Sequence, residues 1–232
     1  PMEDRSIVTV DEPSATVRVA GKSQQADGVI APHQQVVASA ANELLVPLIE
    51  HTAERPGMKA AALLCYGEDV AGRDQALVGS EGIAQATLQQ LLGAAAACGL
   101  ALHFAGMVIT MELVIDLFDP NSNVSVNETQ FAGLHPDGVS WKIVSDSAAV
   151  PMLLQQAADS RSALMRQMGS GITARSSMVL ACRIGPADGT AYGNLLYLVD
   201  VAVPPLSRVS GVPGLVLDDY CSISTSYKML SK

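Results

Sequence analysis

The chain has 232 residues, enough for one large domain or two small ones. Hydrophobic residues make up 49% of it and charged residues only 16%, against roughly 25% in typical soluble domains, and the formal net charge is −9. So little charge suits a subunit that hides much of its surface against neighbours, although an α/β enzyme with a large core shares this composition. No run of Lys and Arg occurs, which argues against direct contact with nucleic-acid phosphates.

The four cysteines are far apart in the sequence and form no C-x-x-C pair. Their apolar or small neighbours predict reduced, buried thiols in a cytosolic protein. They are Cys65, Cys98, Cys182 and Cys221. Pro1 precedes Met2, which indicates either release from a longer precursor or the removal of a tag.

Residues 1–58 are predicted to form an extended N-terminal arm. Two short alternating pieces, 6–10 and 15–21, precede a stretch with helical spacing at 33–51. The breaker "ERPGMK" at 54–59 then marks the entry into a main domain, predicted over 59–206 and followed by a C-terminal extension over 207–232.

The main domain opens with a predicted buried strand, "KAAALLCYG", and continues with a predicted helix. Ser80 is the expected N-cap of that helix and Gly99 its expected C-cap. Further along, strands are predicted at 138–144, in "TARSSMVLACRIG" and in "GNLLYLVDVAV", with a strand-like piece near "YCSISTSYKML". Residues 150–168 fit a strand or a helix, and a helix is favoured over their second half.

The stretch "GMVITMELVIDLF" (106–118) is predicted to be one strand of a sandwich. Its odd-numbered residues from Met107 to Leu117 are all apolar, whereas Thr110, Glu112 and Asp116 alternate with them. A membrane span over 91–111 is disfavoured because three glycines interrupt it and no basic residue flanks it. The other face of this strand, with Asp116 and Phe118, is the expected subunit contact. Asp116→Ala and Phe118→Ala are therefore expected to weaken assembly more than folding.

No catalytic, cofactor-binding or metal-binding residue is assigned from the sequence. Gly21-Lys22-Ser23 resembles the end of a phosphate-binding loop, but Thr16 stands where the first glycine is needed and no helix pattern follows. The histidines never fall at ligand spacing, and His103 is expected to be a hydrogen-bonded core residue. The remaining histidines are His33, His51 and His135. The adjacent acids Asp218 and Asp219 fit a solvated pair better than a calcium site.

The strands bunch in runs instead of alternating with helices, which predicts a mainly β, antiparallel sandwich with two or three inserted helices. The order of elements resembles the single jelly-roll coat proteins of picorna-like icosahedral plus-strand RNA viruses and their plant relatives. "SSMVLACRIGPADGTAYGNLLYLVDVAVPPL" is similar to the final hairpin of that family.

The resemblance implies a structural, non-enzymatic capsid subunit, located in the virion and, during assembly, in the host cytoplasm. Its partners would be other capsid subunits, with packaged nucleic acid held at most indirectly and no membrane insertion. The alternatives are a cytosolic α/β or α+β enzyme acting on a small molecule, or a non-viral oligomeric shell or binding protein.

Overall fold

The structure is a computed structural model, and it describes ten segments of the chain. They are residues 8–11, 16–19, 22–25, 60–66, 73–80, 82–110, 113–129, 133–168, 176–188 and 193–202. Most of the predicted arm, including its helix, and all of the predicted 207–232 extension lie outside them. The division into 1–58, 59–206 and 207–232 therefore stays a prediction.

Eleven strands and three helices form the described part. The strands are β1 (Val8–Asp11), β2 (Thr16–Val19), β3 (Lys22–Gln25), β4 (Ala60–Cys65), β5 (Ala101–Thr110), β6 (Leu113–Asp116), β7 (Ser125–Thr129), β8 (Gly133–Asp137), β9 (Lys142–Val144), β10 (Ser177–Gly185) and β11 (Asn194–Asp200). The helices are α1 (Arg73–Val78), α2 (Ile83–Ala97) and α3 (Ala149–Met168).

The main sheet is mixed and has the strand order β4-β11-β10-β5-β6, with β9 also paired to β5. β4 and β11 are parallel, and the other pairs of this sheet are antiparallel. β1, β2 and β3 form a separate antiparallel sheet, and β7 pairs with β8 in a hairpin.

All three described helices pack on one face of the main sheet. Leu77 of α1, Leu88 of α2 and Leu154 of α3 share a core cluster with the even-numbered residues of β5 and β10. The odd-numbered residues of the same strands, such as Met107 and Val179, are equally buried in a second cluster on the opposite face. The sequence of a strand that is covered on both faces is a continuous apolar run, which is why the residues of β5 also fit part of a membrane span over 91–111.

Helix α2 ends within one residue of the predicted position: its C-cap is Cys98, and Gly99, the predicted cap, is the residue that follows. Gly99 has a φ of 69°, the left-handed conformation that glycine adopts without strain. The N–H groups of Leu100 and Gly99 donate to the carbonyls of Ala95 and Ala96, so the last turn closes as a Schellman motif. At the other end the N-cap is Gly82, not Ser80.

The predicted antiparallel jelly roll is wrong. The described strands form a mixed sheet with three helices on one face, an α/β arrangement in place of two packed antiparallel sheets. The decisive difference is the parallel pairing of β4 with β11, which joins residues more than 130 positions apart. Local periodicity carries no information on such a pairing.

The stretch 106–118 is a hairpin instead of one strand. β5 ends at Thr110 and pairs there with Leu113, the first residue of β6. The reversal breaks the predicted alternation. Leu113, predicted to face inward, is 59% exposed, and Phe118, predicted to face a neighbouring subunit, packs against the helix-side core. None of the helices in the described segments is long and apolar enough to span a membrane.

Asp116, predicted to face a neighbouring subunit, is fully buried. Its Oδ1 accepts hydrogen bonds from the N–H groups of Phe118 (2.7 Å) and Asp119 (3.2 Å), and its Oδ2 accepts one from Ser140 (2.6 Å). This carboxylate holds the turn after β6 against the segment before β9. The expectation that Asp116→Ala would disturb assembly more than folding is therefore wrong.

Other local predictions are confirmed. β10 and β11 form the predicted antiparallel hairpin, paired from Met178 with Asp200 to Ile184 with Asn194. The ambiguous 150–168 segment is helical throughout, as α3. His103 is buried, and its Nε2 lies 3.0 Å from the carbonyl oxygen of Pro186, as expected of a core histidine.

Candidate functional site at the carboxyl edge of β4 and β11

The two parallel strands β4 and β11 end side by side. Cys65, the last residue of β4, is the register partner of Asp200, the last residue of β11. The N–H of Val201 then donates to the carbonyl of Cys65 at 3.0 Å. In sheets with parallel strands, ligands bind in the crevice beyond the carboxyl ends of those strands, so this edge is the place to look for a site.

A buried ion pair stands at this edge. Arg161 of α3 reaches the end of β11, and the Nη2 of its guanidinium donates to Oδ2 of Asp200 at 3.0 Å. The Asp200 side chain is fully buried and the Arg161 side chain is 10% exposed. A carboxylate held in such surroundings needs a cation, because burial removes the solvation of its charge. The pair ties helix α3 to the sheet.

A groove of about 460 Å³ runs between α1 and α3 beside this ion pair. Its lining combines cationic, amide and hydroxyl groups with apolar side chains: Gln75, Val78, Gly79, Ala158, Arg161, Ser162, Met165, Arg166 and Met178. The Arg166 guanidinium and the Gln75 amide can donate hydrogen bonds to an anion in this groove, whereas the charge of Arg161 is already balanced by Asp200.

Two buried serines close the same edge from the start of β10. The Oγ of Ser177 accepts a hydrogen bond of 3.0 Å from the N–H of Ala202, just after β11. Ser176 Oγ lies 3.6 Å from the sulfur of Met165 on α3. These contacts join helix α3 and the start of β10 to the end of β11, where Asp200 lies.

The sequence between β4 and α1 carries a signal that the sequence analysis missed. Gly67 and Gly72 stand five positions apart, and Arg73 and Asp74 follow, giving the pattern G-x-x-x-x-G-R-D. A phosphate-binding loop reads G-x-x-x-x-G-K-[S/T] between a strand and a helix. The strand and the helix are present as β4 and α1. A search that insisted on Lys and on Ser or Thr passes over this segment; residues 67–72 lie outside the described part.

The structure places the earlier candidates elsewhere. Lys22 and Ser23 lie within strand β3 of the separate three-stranded sheet, not in a loop. His103 faces Arg183 across β5 and β10. Burial lowers the pKa of His103 most, the bond to Pro186 opposes this effect, and the charge of Arg183 lowers the pKa further. Within the described segments no group of three or more His, Cys, Asp or Glu residues could hold a metal ion.

The remaining candidates are spread over the chain. His135 lies in β8, and the others fall outside the described residues: His33, His51, Cys221, Asp218 and Asp219. Of the cysteines in the described part, Cys182 is buried, as expected, and burial raises its pKa to about 12. Cys98 is exposed and Cys65 is half-buried, so the prediction of uniformly buried thiols is wrong.

Comparison with known proteins points to kinesins. No protein-family model matches the chain. Kinesin-related protein 5 of Dictyostelium discoideum is 26% identical over 125 residues, which cover 53% of this chain and 13% of that protein. A fast kinesin, whose structure was reported with implications for its ATPase mechanism and its interactions with microtubules, matches with a TM-score of 0.74. That match has 22% identity and covers 94% of this chain and 65% of the solved one.

These similarities overturn the capsid interpretation. The chain shares the fold of a kinesin motor, so the expected coat protein, its virion location and its capsid-subunit partners are wrong. The expectation of a non-enzymatic protein is contradicted as well, since the kinesin with this fold has an ATPase mechanism. The alternative prediction of an α/β enzyme agrees better with these similarities than the capsid prediction does. The similarity itself concerns the fold, and this chain spans only part of both relatives.

Proposed function

We propose that this chain contributes the nucleotide-binding core of a kinesin-like motor. It binds a nucleoside triphosphate at the carboxyl edge of β4 and β11, hydrolyses it, and associates with microtubules, which would place it on the cytoskeleton in the cytoplasm. The fold similarity to a fast kinesin and the partial sequence similarity to a kinesin-related protein support this proposal.

One observation carries the proposal beyond fold similarity. The chain runs from strand β4 through G-x-x-x-x-G into helix α1, and the parallel strand β11 beside β4 ends in Asp200 at the level of the last residue of β4. Phosphate-binding loops use glycines so that backbone N–H groups approach the phosphates, and an aspartate from a neighbouring strand serves the magnesium ion of the nucleotide. β4, α1 and Asp200 supply this framework.

Two residues of the pattern differ from the usual loop. Arg73 stands where a lysine normally contacts the phosphates, and it keeps the positive charge with a planar donor group. Asp74 stands where a hydroxyl normally binds magnesium, and it offers a carboxylate, a ligand type that magnesium accepts. A carboxylate this close to the phosphates repels them unless the metal ion is present. Nucleotide binding is therefore expected to depend on magnesium more strongly than with a hydroxyl.

The test is nucleotide binding by the purified chain, followed with a fluorescent ATP analogue at saturating and zero magnesium. Arg73→Ala is expected to weaken binding at least about tenfold, because a charge-assisted phosphate contact is lost. Lys22→Ala is the matched control, since Lys22 belongs to the separate β1–β3 sheet, and it should leave binding unchanged. Equal affinities for the wild-type chain and Arg73→Ala would reject the site.

Hydrolysis and partner binding are tested separately. Phosphate release should rise when microtubules are added, and the chain should co-sediment with them in a nucleotide-dependent way. Magnesium-dependent nucleotide binding without any co-sedimentation would retain the nucleotide site and reject the motor assignment. Co-sedimentation that does not change with the nucleotide would reject a coupling between nucleotide binding and microtubule binding.

A further inference from the structure

The main-chain pairing of β10 with β11 stops at the candidate aspartate. Met178 and Asp200 are the last register partners of these two strands. β10 begins one residue before Met178, where Ser177 is paired with Ile109 of β5. The exit segment, residues 201–202, therefore leaves β11 beside the start of β10. The bonds of this segment decide how firmly the backbone of Asp200 is fixed.

Two hydrogen bonds hold the exit segment from opposite sides. The N–H of Val201 donates to the carbonyl of Cys65 on β4, and the N–H of Ala202 donates to the Oγ of Ser177 on β10, both at 3.0 Å. In an extended chain the N–H groups of successive residues point to opposite sides, so the two bonds continue the sheet past Asp200. On the β10 side, a side chain takes the role of the main-chain acceptor.

The Ser177 hydroxyl lies in the interior of the protein. The side chains of Ser177 and Asp200 are fully buried, and Ala202 is 1% exposed. A buried polar group costs free energy unless it is hydrogen-bonded, and the bond between Ser177 and Ala202 gives the hydroxyl and the N–H a partner each. Alanine at position 177 would deprive the Ala202 N–H of this acceptor at a buried position.

The bond matters for the proposed nucleotide site, on which this inference rests. Asp200 is the carboxylate proposed to serve the magnesium ion, and its Oδ2 is held by Arg161. Magnesium requires nearly ideal octahedral geometry, so small movements of a ligand weaken its binding. Replacing a residue that orients a ligand without touching the metal typically changes metal affinity about 10- to 100-fold.

We propose that Ser177 is a positioning residue for magnesium-dependent nucleotide binding. Its hydroxyl holds the Ala202 N–H and thereby fixes the backbone that follows Asp200, so that the carboxylate keeps one orientation. Arg161 holds the side-chain end of Asp200, and Ser177 holds the main-chain end. Ser177 acts through Asp200 and not by direct contact with the nucleotide or the metal ion.

Amide hydrogen exchange of the nucleotide-free chain, read by NMR, tests the bond itself. The Ala202 N–H should be protected in the wild-type protein, and Ser177→Ala should accelerate its exchange at least about tenfold relative to Leu180 of β10. Ser177→Thr keeps a hydroxyl and should restore the protection. Thr87→Val is the matched control and should leave the Ala202 rate unchanged. It removes a fully buried hydroxyl of α2 that has no hydrogen-bond partner among the described residues.

Magnesium titration of ATP-analogue binding tests the consequence for the site. In Ser177→Ala the magnesium concentration for half-maximal binding should rise at least about tenfold, because the carboxylate no longer keeps its orientation. At saturating magnesium the affinity for the analogue should fall much less. Ser177→Thr and Thr87→Val should both follow the wild-type magnesium dependence.

The other outcomes separate this role from the function on which it rests. A wild-type chain that does not bind the analogue would reject the nucleotide site and the role of Ser177 together. Normal binding with an unchanged magnesium dependence in Ser177→Ala would reject the positioning role alone. Ala202 exchange that is fast in the wild type, or unaffected by Ser177→Ala, would show that the hydroxyl does not hold the exit segment. Equal effects of Ser177→Ala and Ser177→Thr, or parallel acceleration of Leu180, would show a general loss of stability instead.

Discussion

Two fully buried aspartates, Asp200 of β11 and Asp116 of β6, lie three strands apart in the main sheet. β11 runs parallel to β4 and ends in Asp200, whereas β6 runs in the reverse direction and ends in Asp116. Asp116 receives three backbone hydrogen bonds, two of them from residues within three positions of it. Asp200 is paired with Arg161, 39 positions away on helix α3.

The difference separates a structural carboxylate from one suited to function. Two of the N–H groups that hold Asp116 belong to the turn itself and the third, from Ser140, belongs to the segment before β9, so all of these bonds serve the backbone structure around the turn. Arg161 holds Asp200 through a long side chain from another element, and such a pair can rearrange when an anion enters the neighbouring groove. The buried polar group that depends on a distant partner is the one placed at the candidate site.

The largest effect is expected from breaking the ion pair. Arg161→Ala leaves the buried Asp200 carboxylate without its guanidinium and should lower the free energy of unfolding by about 4 kcal/mol. Urea denaturation measures this loss, with Arg166→Ala as the control because Arg166 is exposed. The apolar double variant Arg161→Met with Asp200→Leu should recover most of the loss. A double variant as unstable as Arg161→Ala alone would show that the pair does not act as a unit.

Removal of the Asp116 carboxylate should lower the free energy of unfolding somewhat less than Arg161→Ala does. Asp116→Ala deprives three backbone N–H groups of their acceptor and should lower the free energy of unfolding by about 3 kcal/mol. Asp119→Ala is the matched control, because its Oδ1 accepts one bond from Asn121 at an exposed site, and it should cost less than about 1 kcal/mol. Similar losses for the two variants would contradict the structural role given to Asp116.

The buried Cys182 thiol, which carries no charge, should make the free energy of unfolding depend on pH in the alkaline range. Burial raises the pKa of Cys182 from 9.0 to about 12, so the unfolded chain loses the thiol proton first as the pH rises. The neutral Cys182 thiol leaves the free energy of unfolding unchanged below pH 9. Above pH 9 the free energy of unfolding falls, by about 2 kcal/mol at pH 10.5. Urea denaturation at pH 8 and 10.5 should show this loss in the wild-type chain and a smaller one in Cys182→Ala. Identical losses would mean that other groups control the alkaline limit.

The smallest effect concerns nucleotide binding and rests on the proposed function. Asp200→Asn should weaken magnesium-dependent binding of the ATP analogue by about tenfold, equivalent to about 1.4 kcal/mol. Asp116→Asn, three strands away in the main sheet, should change the affinity of the folded protein less than about twofold. The affinity is measured by fluorescence titration at a temperature where both variants are folded. A larger loss for Asp116→Asn would remove the distinction between the two carboxylates.

The candidate site was only partly readable from the sequence. The G-x-x-x-x-G spacing after a predicted strand was visible, but Arg73 and Asp74 depart from the residues that make the pattern familiar. Asp200 lay unnoticed within a strand that otherwise alternates normally. No spacing links Asp200 to Arg161, because the ion pair joins a strand and a helix that meet only in the folded protein.

The sequence by itself determined the local elements. Helical spacing and Gly99 set the end of α2, and two runs joined by a turn-rich segment set the β10–β11 hairpin, because these features depend on residues close in the chain. Tertiary structure decided which strands became neighbours and which faces were covered. The parallel pairing of β4 with β11 and the helices on one face made an α/β sheet from strands that also fit a sandwich, since pairing between distant segments is set by packing and not by local periodicity.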